Sequence, residues 1–383
     1  MNLIYLDNNS TTMIDQKVLD KMMPYMTTYY GNASSSEHVY GWDSNEAVNY
    51  SREQISGLIN CSPNEIFFTS GATESNNIAI LGLIDLEQPN AHAITIKTEH
   101  KSVLDIFKHL SKKGINTTYI DVGIDGITNL KEIENSIIPD TKLISIMIAN
   151  NEIGVIQPIK EIAKICQNKN IILHVDAAQA LGKIDIDLIK MNVDLMSFSA
   201  HKIYGPKGIG ALYINRSTMK NKIKPITFGG GHEKGLRPGT LPVHNIVGFG
   251  EACHIAKKDY KKNNRLIDSL TNAMLDKLSK EFGEIIINGS KEYRIPGNLN
   301  ISFPNLKQEP LIQKIRKVAV SSGSACTTSN PEPSHVLEAM GVSKSLIKST
   351  IRIGIGKFNT LDEIQDAANY ILEVVNKLKI NKR

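Results

Sequence analysis

Through the middle of the chain, short runs of apolar and β-branched residues alternate with stretches whose apolar positions recur at helical spacing. The runs at 66–69, 93–96, 143–148, 171–175, 195–198 and 211–214 read as strands. Helical patterns separate most of them, as at 101–112 and 159–168. Strands that are apolar throughout, with helices between them, predict a mostly parallel sheet covered on both faces. The texture changes at 227–241, where TFGGGHEKGLRPGTL is Gly-rich and polar. A long helical pattern follows over 246–278, then shorter strands at 284–287, 298–303 and 351–353 mixed with helices. This predicts a large α/β domain over 15–255 and a smaller α+β domain made of 1–14 with 256–383.

Composition narrows the function. The chain has 383 residues, 41% hydrophobic and 22% charged, which excludes a disordered, collagen-like or coiled-coil protein. Its net charge of +5 comes without a dense Lys/Arg cluster, so no direct nucleic-acid partner is expected. No apolar run is long enough to span a membrane and no signal peptide opens the chain, so no membrane partner is expected. Four Cys are too few for a disulfide scaffold and read as reduced thiols of a cytoplasmic protein. GPKGIG lacks the spacing of a dinucleotide fingerprint, IGIGKF lacks the first Gly of a P-loop, and no His/Cys cluster has zinc spacing.

Four segments carry candidate chemistry. In FFTSGATESNNIAI a strand runs into Ser70-Gly71-Ala72-Thr73, where a helix starts. That is either an anion site or a plain helix cap. In LHVDAAQALG, Asp176 ends an apolar strand at the carboxyl edge of the sheet, where α/β proteins bind ligands. It suits a cationic partner such as a protonated pyridine nitrogen, or caps a following helix. In MSFSAHKIYGPKGIGALYI, Lys202 follows a strand and precedes a Gly-rich turn. A lysine in a partly desolvated cleft can condense with a carbonyl; a solvated loop lysine has no such role. Asp176 and Lys202 end successive strands about 25 residues apart, the distance of one crossover connection, so they can converge on one ligand. In VAVSSGSACTTSNPEPSHVLEAMG, Cys326 lies among small residues with no helical or strand period, as an accessible nucleophile would. Cys166 and Cys253 lie in helical patterns and Cys61 starts a turn, all fitting structural roles.

With these segments in place, the chain resembles the cysteine desulfurases of the NifS/IscS-like group, a class V branch of the fold-type I pyridoxal-phosphate transferases. YLDNNSTT, TSGATESNN, TEHKSV, NNEIGVIQPI, HVDAAQ, SFSAHKIYGPKGIGAL, GGGHEKGLRPGT, SSGSAC and RIGIGKFNT occur in that order, so the resemblance covers nearly the whole chain. It implies that Lys202 holds pyridoxal 5'-phosphate covalently and moves protons on the substrate. Asp176 pairs with the pyridinium nitrogen, His100 stacks on the ring, and Gln179 bonds the phenolic oxygen. Asn151 lies by the cofactor and touches the substrate carboxylate, which Arg352 clamps. Ala72, Thr73, Ser199 and His201 hold the phosphate, and Thr240 reaches the phosphate of a second subunit in a homodimer. Cys326 takes the sulfur of L-cysteine as a persulfide and passes it to an acceptor, an iron–sulfur scaffold or a tRNA-thiolation protein. No resident metal is implied, although Cys326 can ligate an iron–sulfur cluster transiently.

The sequence departs from the group in two places. Ala33 stands in GNASS where relatives have Pro, and Pro238 precedes Gly239-Thr240 where many have Ser or Ala. The chain also ends sooner after its last helix than longer relatives, whose tail binds the scaffold. Rival readings are a selenocysteine lyase or sulfinate-removing relative, a plain class V aminotransferase and a non-catalytic sulfur relay or scaffold protein; Cys326 argues against the first two, and the presence of Lys202 and His100 against the third.

Overall fold

The structure, a computed structural model, describes residues 3–84, 90–219, 222–307, 309–322 and 333–380. The strands in chain order are β1 (Ile4–Tyr5), β2 (Ile66–Thr69), β3 (His92–Ile96), β4 (Asn116–Ile120), β5 (Thr141–Met147), β6 (Ile172–Asp176), β7 (Leu195–Ser199), β8 (Gly210–Ile214), β9 (Ile286–Ile287), β10 (Asn298–Ser302), β11 (Val318–Ala319) and β12 (Thr350–Gly354). Seven of them form one sheet in the order β2-β8-β7-β6-β5-β3-β4. Only β8 runs against its neighbours, pairing antiparallel with both β2 and β7. β12, β10 and β9 form a second, antiparallel sheet, and β1 pairs with β11.

The central strands β5, β6, β7 and β8 are buried at almost every position. Helices Ala72–Leu81, Lys101–Lys112 and Ile159–Lys169 cover them. Each turns an apolar face inward, through Ile78 and Ile80, Val103 and Phe107, and Ile162 and Cys166. The predicted parallel sheet is thus present. Within this sheet β4 is the strand that the pattern did not show: Asn116-Thr117-Thr118-Tyr119-Ile120 sits at the edge with mostly part-exposed positions. Polar edge positions remove the apolar run by which strands are recognised.

The two largest apolar cores among the described residues hold the molecule. One surrounds the seven-stranded sheet, and the other gathers Leu6, Leu270, Met274, Ile301, Ile353 and Ile371 around the second sheet. The helix Val243–Phe282 serves both: Ile246, Phe249 and Cys253 enter the first core, Leu270, Met274 and Leu278 the second. Among the described residues no helix is long and apolar enough to cross a membrane.

Candidate active site

The parallel strands and β2 end at one edge of the large sheet, so the residues that follow them collect there. Register places Met147 of β5 beside Asp176 of β6, and Asp176 beside Ser197 of β7. Thr69 of β2 meets Gly210 of β8, which meets Ser199 of β7. Gly210 has no room for a side chain: a Cβ there would stand 2.4 Å from the Phe198 carbonyl oxygen and 2.7 Å from Gly71 Cα. That close approach seats the Ser70–Thr73 turn against the end of β7. A cleft of about 410 Å³ opens at this edge. Ala72, Thr73, His100, Asn151, Asp176, Gln179, Ser199, His201, Lys202 and Arg352 all line it.

Asp176 is buried on the cleft floor. Asn76 Nδ2 donates to its Oδ2 at 2.8 Å and the Ala178 N–H to its Oδ1 at 2.9 Å. No helix follows Asp176; the chain makes a run of turns instead, so its role as a helix cap does not arise. Lys202 ends a short 3₁₀ turn after β7 and donates from Nζ to the carbonyls of Asn9 (2.7 Å) and Ser10 (2.5 Å). Gln179 Nε2 donates to the same Asn9 carbonyl at 2.7 Å.

His100 caps the helix Lys101–Lys112, its Nδ1 accepting from the Ser102 N–H at 3.1 Å. An accepting Nδ1 leaves the proton of the neutral ring on Nε2. Burial lowers the pKa of His100, as does the charge of Lys202, while Asp176 opposes the shift. His201 shares a hydrogen bond with Thr11 Oγ1 at 3.1 Å, and burial beside Lys202 and Lys207 brings it down to about 4. Both imidazoles are therefore neutral near pH 7.

Arg352, on β12 of the second sheet, reaches the cleft as a buried guanidinium. It pairs with Asp7 Oδ1 at 2.6 Å and donates to the Asn151 carbonyl at 3.1 Å. Its Nε has no partner among the described residues.

Thr240 is exposed and lies outside the cleft, on the Gly-rich loop. Arg237 of the same loop bonds Glu74 in the first turn of the helix Ala72–Leu81 at 3.1 Å. Cys326 falls outside the described residues. Cys61, Cys166 and Cys253 are free thiols, and burial raises the pKa of each.

The sequence reading missed Asn9 and Ser10, whose carbonyls hold Lys202, along with Asn76, Ser102 and Asp7. Asn76 was within sight, since it follows Thr73 by three residues and so falls on the same helix face. A backbone carbonyl acceptor leaves no mark on the residue type.

The donor set suits pyridoxal phosphate. The helix Ala72–Leu81 has no side chain capping its start, because Gly71 occupies the N-cap at φ 154°. Its first-turn amides therefore face the cleft as anion donors. A carboxylate on the floor, a lysine beside it and an arginine with an unpartnered N–H complete a set for a ring nitrogen, a carbonyl and a carboxylate.

Comparison with known proteins agrees. The aminotransferase class-V family matches residues 4–366. A cysteine desulfurase IscS of Dechloromonas aromatica (strain RCB) is 47% identical over 378 residues, 98% of this chain and 93% of that protein. The cysteine desulfurase of Homo sapiens is 45% identical over 377 residues, covering 98% and 82%. Among solved structures, a NifS-like protein superposes with a TM-score of 0.89 at 37% identity, covering 98% of this chain and all of that one. SspA in complex with cysteine superposes at 0.83 with 35% identity, covering 93% and 100%.

Proposed function

The chain belongs to the class-V aminotransferase family, as a cysteine desulfurase of the IscS/NifS-like group using pyridoxal phosphate, and we propose that the cleft at the edge of the large sheet is where it works. The observation that carries this is the meeting in one cleft of Asp176, Lys202 and His100, at or just after the ends of β6, β7 and β3, with Arg352 from the middle of β12. The reaction balances as enzyme thiol plus L-cysteine giving enzyme persulfide plus L-alanine.

When bound, pyridoxal phosphate supplies an electron sink that loosens the bonds at the substrate Cα and Cβ. Asp176, held by Asn76 and the Ala178 N–H, sets a fixed carboxylate for the ring nitrogen. Lys202 carries the cofactor and moves the Cα proton. In the free protein its amine rests on two carbonyls, which aim it into the cleft. His100 stacks on the ring and presents Nε2–H as a second proton donor. Gln179 bonds the phenolic oxygen. The amides of Ala72 and Thr73, with Ser199 and His201, hold the phosphate. Arg352 and Asn151 bind the substrate carboxylate, and the Asp7 and Asn151 contacts already fix the guanidinium plane.

Cys326 is the thiol that accepts sulfur, on the strength of the SSGSAC motif. The product persulfide passes to a protein acceptor for iron–sulfur assembly or tRNA thiolation. The working unit is a homodimer in which Thr240 reaches the partner's phosphate. Its exposure on a loop tied to the helix Ala72–Leu81 supports this, as do the exposed aromatic side chains of Tyr29, Tyr30, Tyr40 and Trp42, which lie close to one another in sequence. The free thiols support a reducing, cytoplasmic setting. The division into domains falls within the helix Val243–Phe282, at about residue 255, where its side chains change from one core to the other.

Borohydride reduction of the pyridoxal-loaded protein tests the assignment. The cofactor is expected to stay attached to the peptide carrying Lys202. Attachment elsewhere, or loading unaffected by Lys202→Ala, would overturn it.

A further inference from the structure

Lys183 lies four residues past Gln179, in the run of turns after β6. Its Nζ donates to Gln179 Oε1 at 3.0 Å. Gln179 Nε2 donates in turn to the Asn9 carbonyl, which also receives Lys202 Nζ. The contacts form one line from Lys183 through the Gln179 amide and the Asn9 carbonyl to Lys202.

An amide in such a place can turn over, exchanging its oxygen and nitrogen ends. Here the surroundings choose. A carbonyl only accepts and the Lys183 amine donates here, so Oε1 belongs toward Lys183 and Nε2 toward Asn9. Without Lys183, the amide loses one of the two contacts that oppose reversal, the other being the Asn9 carbonyl at Nε2.

The residue is half-buried, so its charge is kept there against a partial desolvation cost. It borders a small pocket of about 40 Å³ that Lys202, Lys357 and Asp15 also line. Asp15 is taken by Lys357. Among the described residues no carboxylate lies within ion-pair distance of Lys183. Burial, then the charges of Lys202 and Arg352, lower its pKa to about 7. A side chain placed there for packing alone would avoid that.

We propose that Lys183 is a positioning residue of the cleft: it fixes the Gln179 amide with its Nε2 end toward Asn9 and the cofactor, and thereby sets how tightly pyridoxal phosphate is held. This rests on the reading that the cleft binds that cofactor.

The test compares wild type, Lys183→Met, Gln179→Leu and the double variant as full chains. Two readouts are used, the dissociation constant of pyridoxal phosphate and the pH midpoint of the visible band of the loaded protein. Each single change is expected to weaken cofactor binding about five- to tenfold, the worth of one hydrogen bond. Each should move the midpoint in the same direction. Because both act through one amide, the double variant should be no weaker than Gln179→Leu alone. Lys183→Arg keeps a donor, and the adjacent space admits it, so its binding should stay within about twofold of wild type. Should Lys183→Met fail to fold, Lys183→Leu makes the same comparison. Wild-type affinity and midpoint in Lys183→Met, beside a weakened Gln179→Leu, would overturn the proposal. So would a double variant weakened by the product of the two single effects. A wild type that takes up no cofactor would overturn the reading of the cleft itself.

Discussion

Arg352 shows how much a single side chain can be prepared for a ligand. It is 2% exposed, yet only part of its donor fork is used, by Asp7 and the Asn151 carbonyl. Nε is left without a partner among the described residues, a state that buried N–H groups avoid unless something else completes them. A substrate carboxylate would do so. Replacing Arg352 with Lys keeps the charge but loses the planar fork. The KM for L-cysteine is expected to rise about 10- to 100-fold, with kcat changed less, because charge-assisted hydrogen bonds contribute about 1.5–3 kcal/mol. Steady-state kinetics of Arg352→Lys checks this, and an unchanged KM would remove Arg352 from the substrate site. The type and position of this residue were readable in the TIRIGIG motif, whereas its partner Asp7, 345 positions away, was not.

Between elements, the segments after β3 and β5 are both locked to the start of the helix His335–Ala339. Ser334 donates to the buried carboxylate of Glu152, and His335 Nε2 bonds the Glu99 carbonyl at 2.9 Å. Ile153, Val155, Val336, Leu337 and Met340 pack behind this contact. Desolvation raises the pKa of Glu152, so its carboxyl depends on that hydroxyl. Ser334→Ala is expected to destabilise the fold by about 1–3 kcal/mol, the penalty of an unpaired buried acceptor, read as a lower urea midpoint. An unchanged midpoint would mean that Glu152 finds another partner. Contacts of this kind were out of reach of the pattern, because the residues carrying them lie some 180 positions apart. What the pattern does report is local. β2, β7 and the helix Lys101–Lys112 stand out because an uninterrupted apolar run or a 3.6-residue period marks them. β4 escaped because its edge position leaves it Asn-Thr-Thr-Tyr. Site residues that follow strand ends, such as Asp176 and Lys202, were legible because their place at the sheet edge follows from the strands.

Across the whole molecule, the N-terminal segment joins the two cores at the cleft. Leu6 is buried in the second core, Asp7 holds Arg352, and the Asn9 and Ser10 carbonyls hold Lys202. Behind the cleft, His174 lies fully buried between Ser145 Oγ (2.8 Å) and Ser197 Oγ (2.9 Å), and desolvation brings it down to about 4. An unfolded histidine titrates near 6.5, so between about pH 6.5 and 4 the unfolded chain binds a proton that the fold refuses. The contribution of His174 is therefore complete above pH 6.5 and declines as the pH falls toward 4. Relative to His174→Gln, the wild type should lose about 2 kcal/mol of unfolding free energy between pH 7 and pH 5. Equal losses in both proteins would contradict a neutral His174.

The central claim, that this cleft moves sulfur from L-cysteine to a thiol of the same chain, is tested most directly by one comparison. Wild type and Cys326→Ala, both loaded with pyridoxal phosphate, are given L-cysteine and a thiol reductant, and sulfide and alanine are measured together. The account predicts equal amounts of sulfide and alanine from wild type. It predicts neither above background from the variant, although the variant keeps its cofactor colour. Equal release by both proteins, or none from a fully loaded wild type, would contradict it.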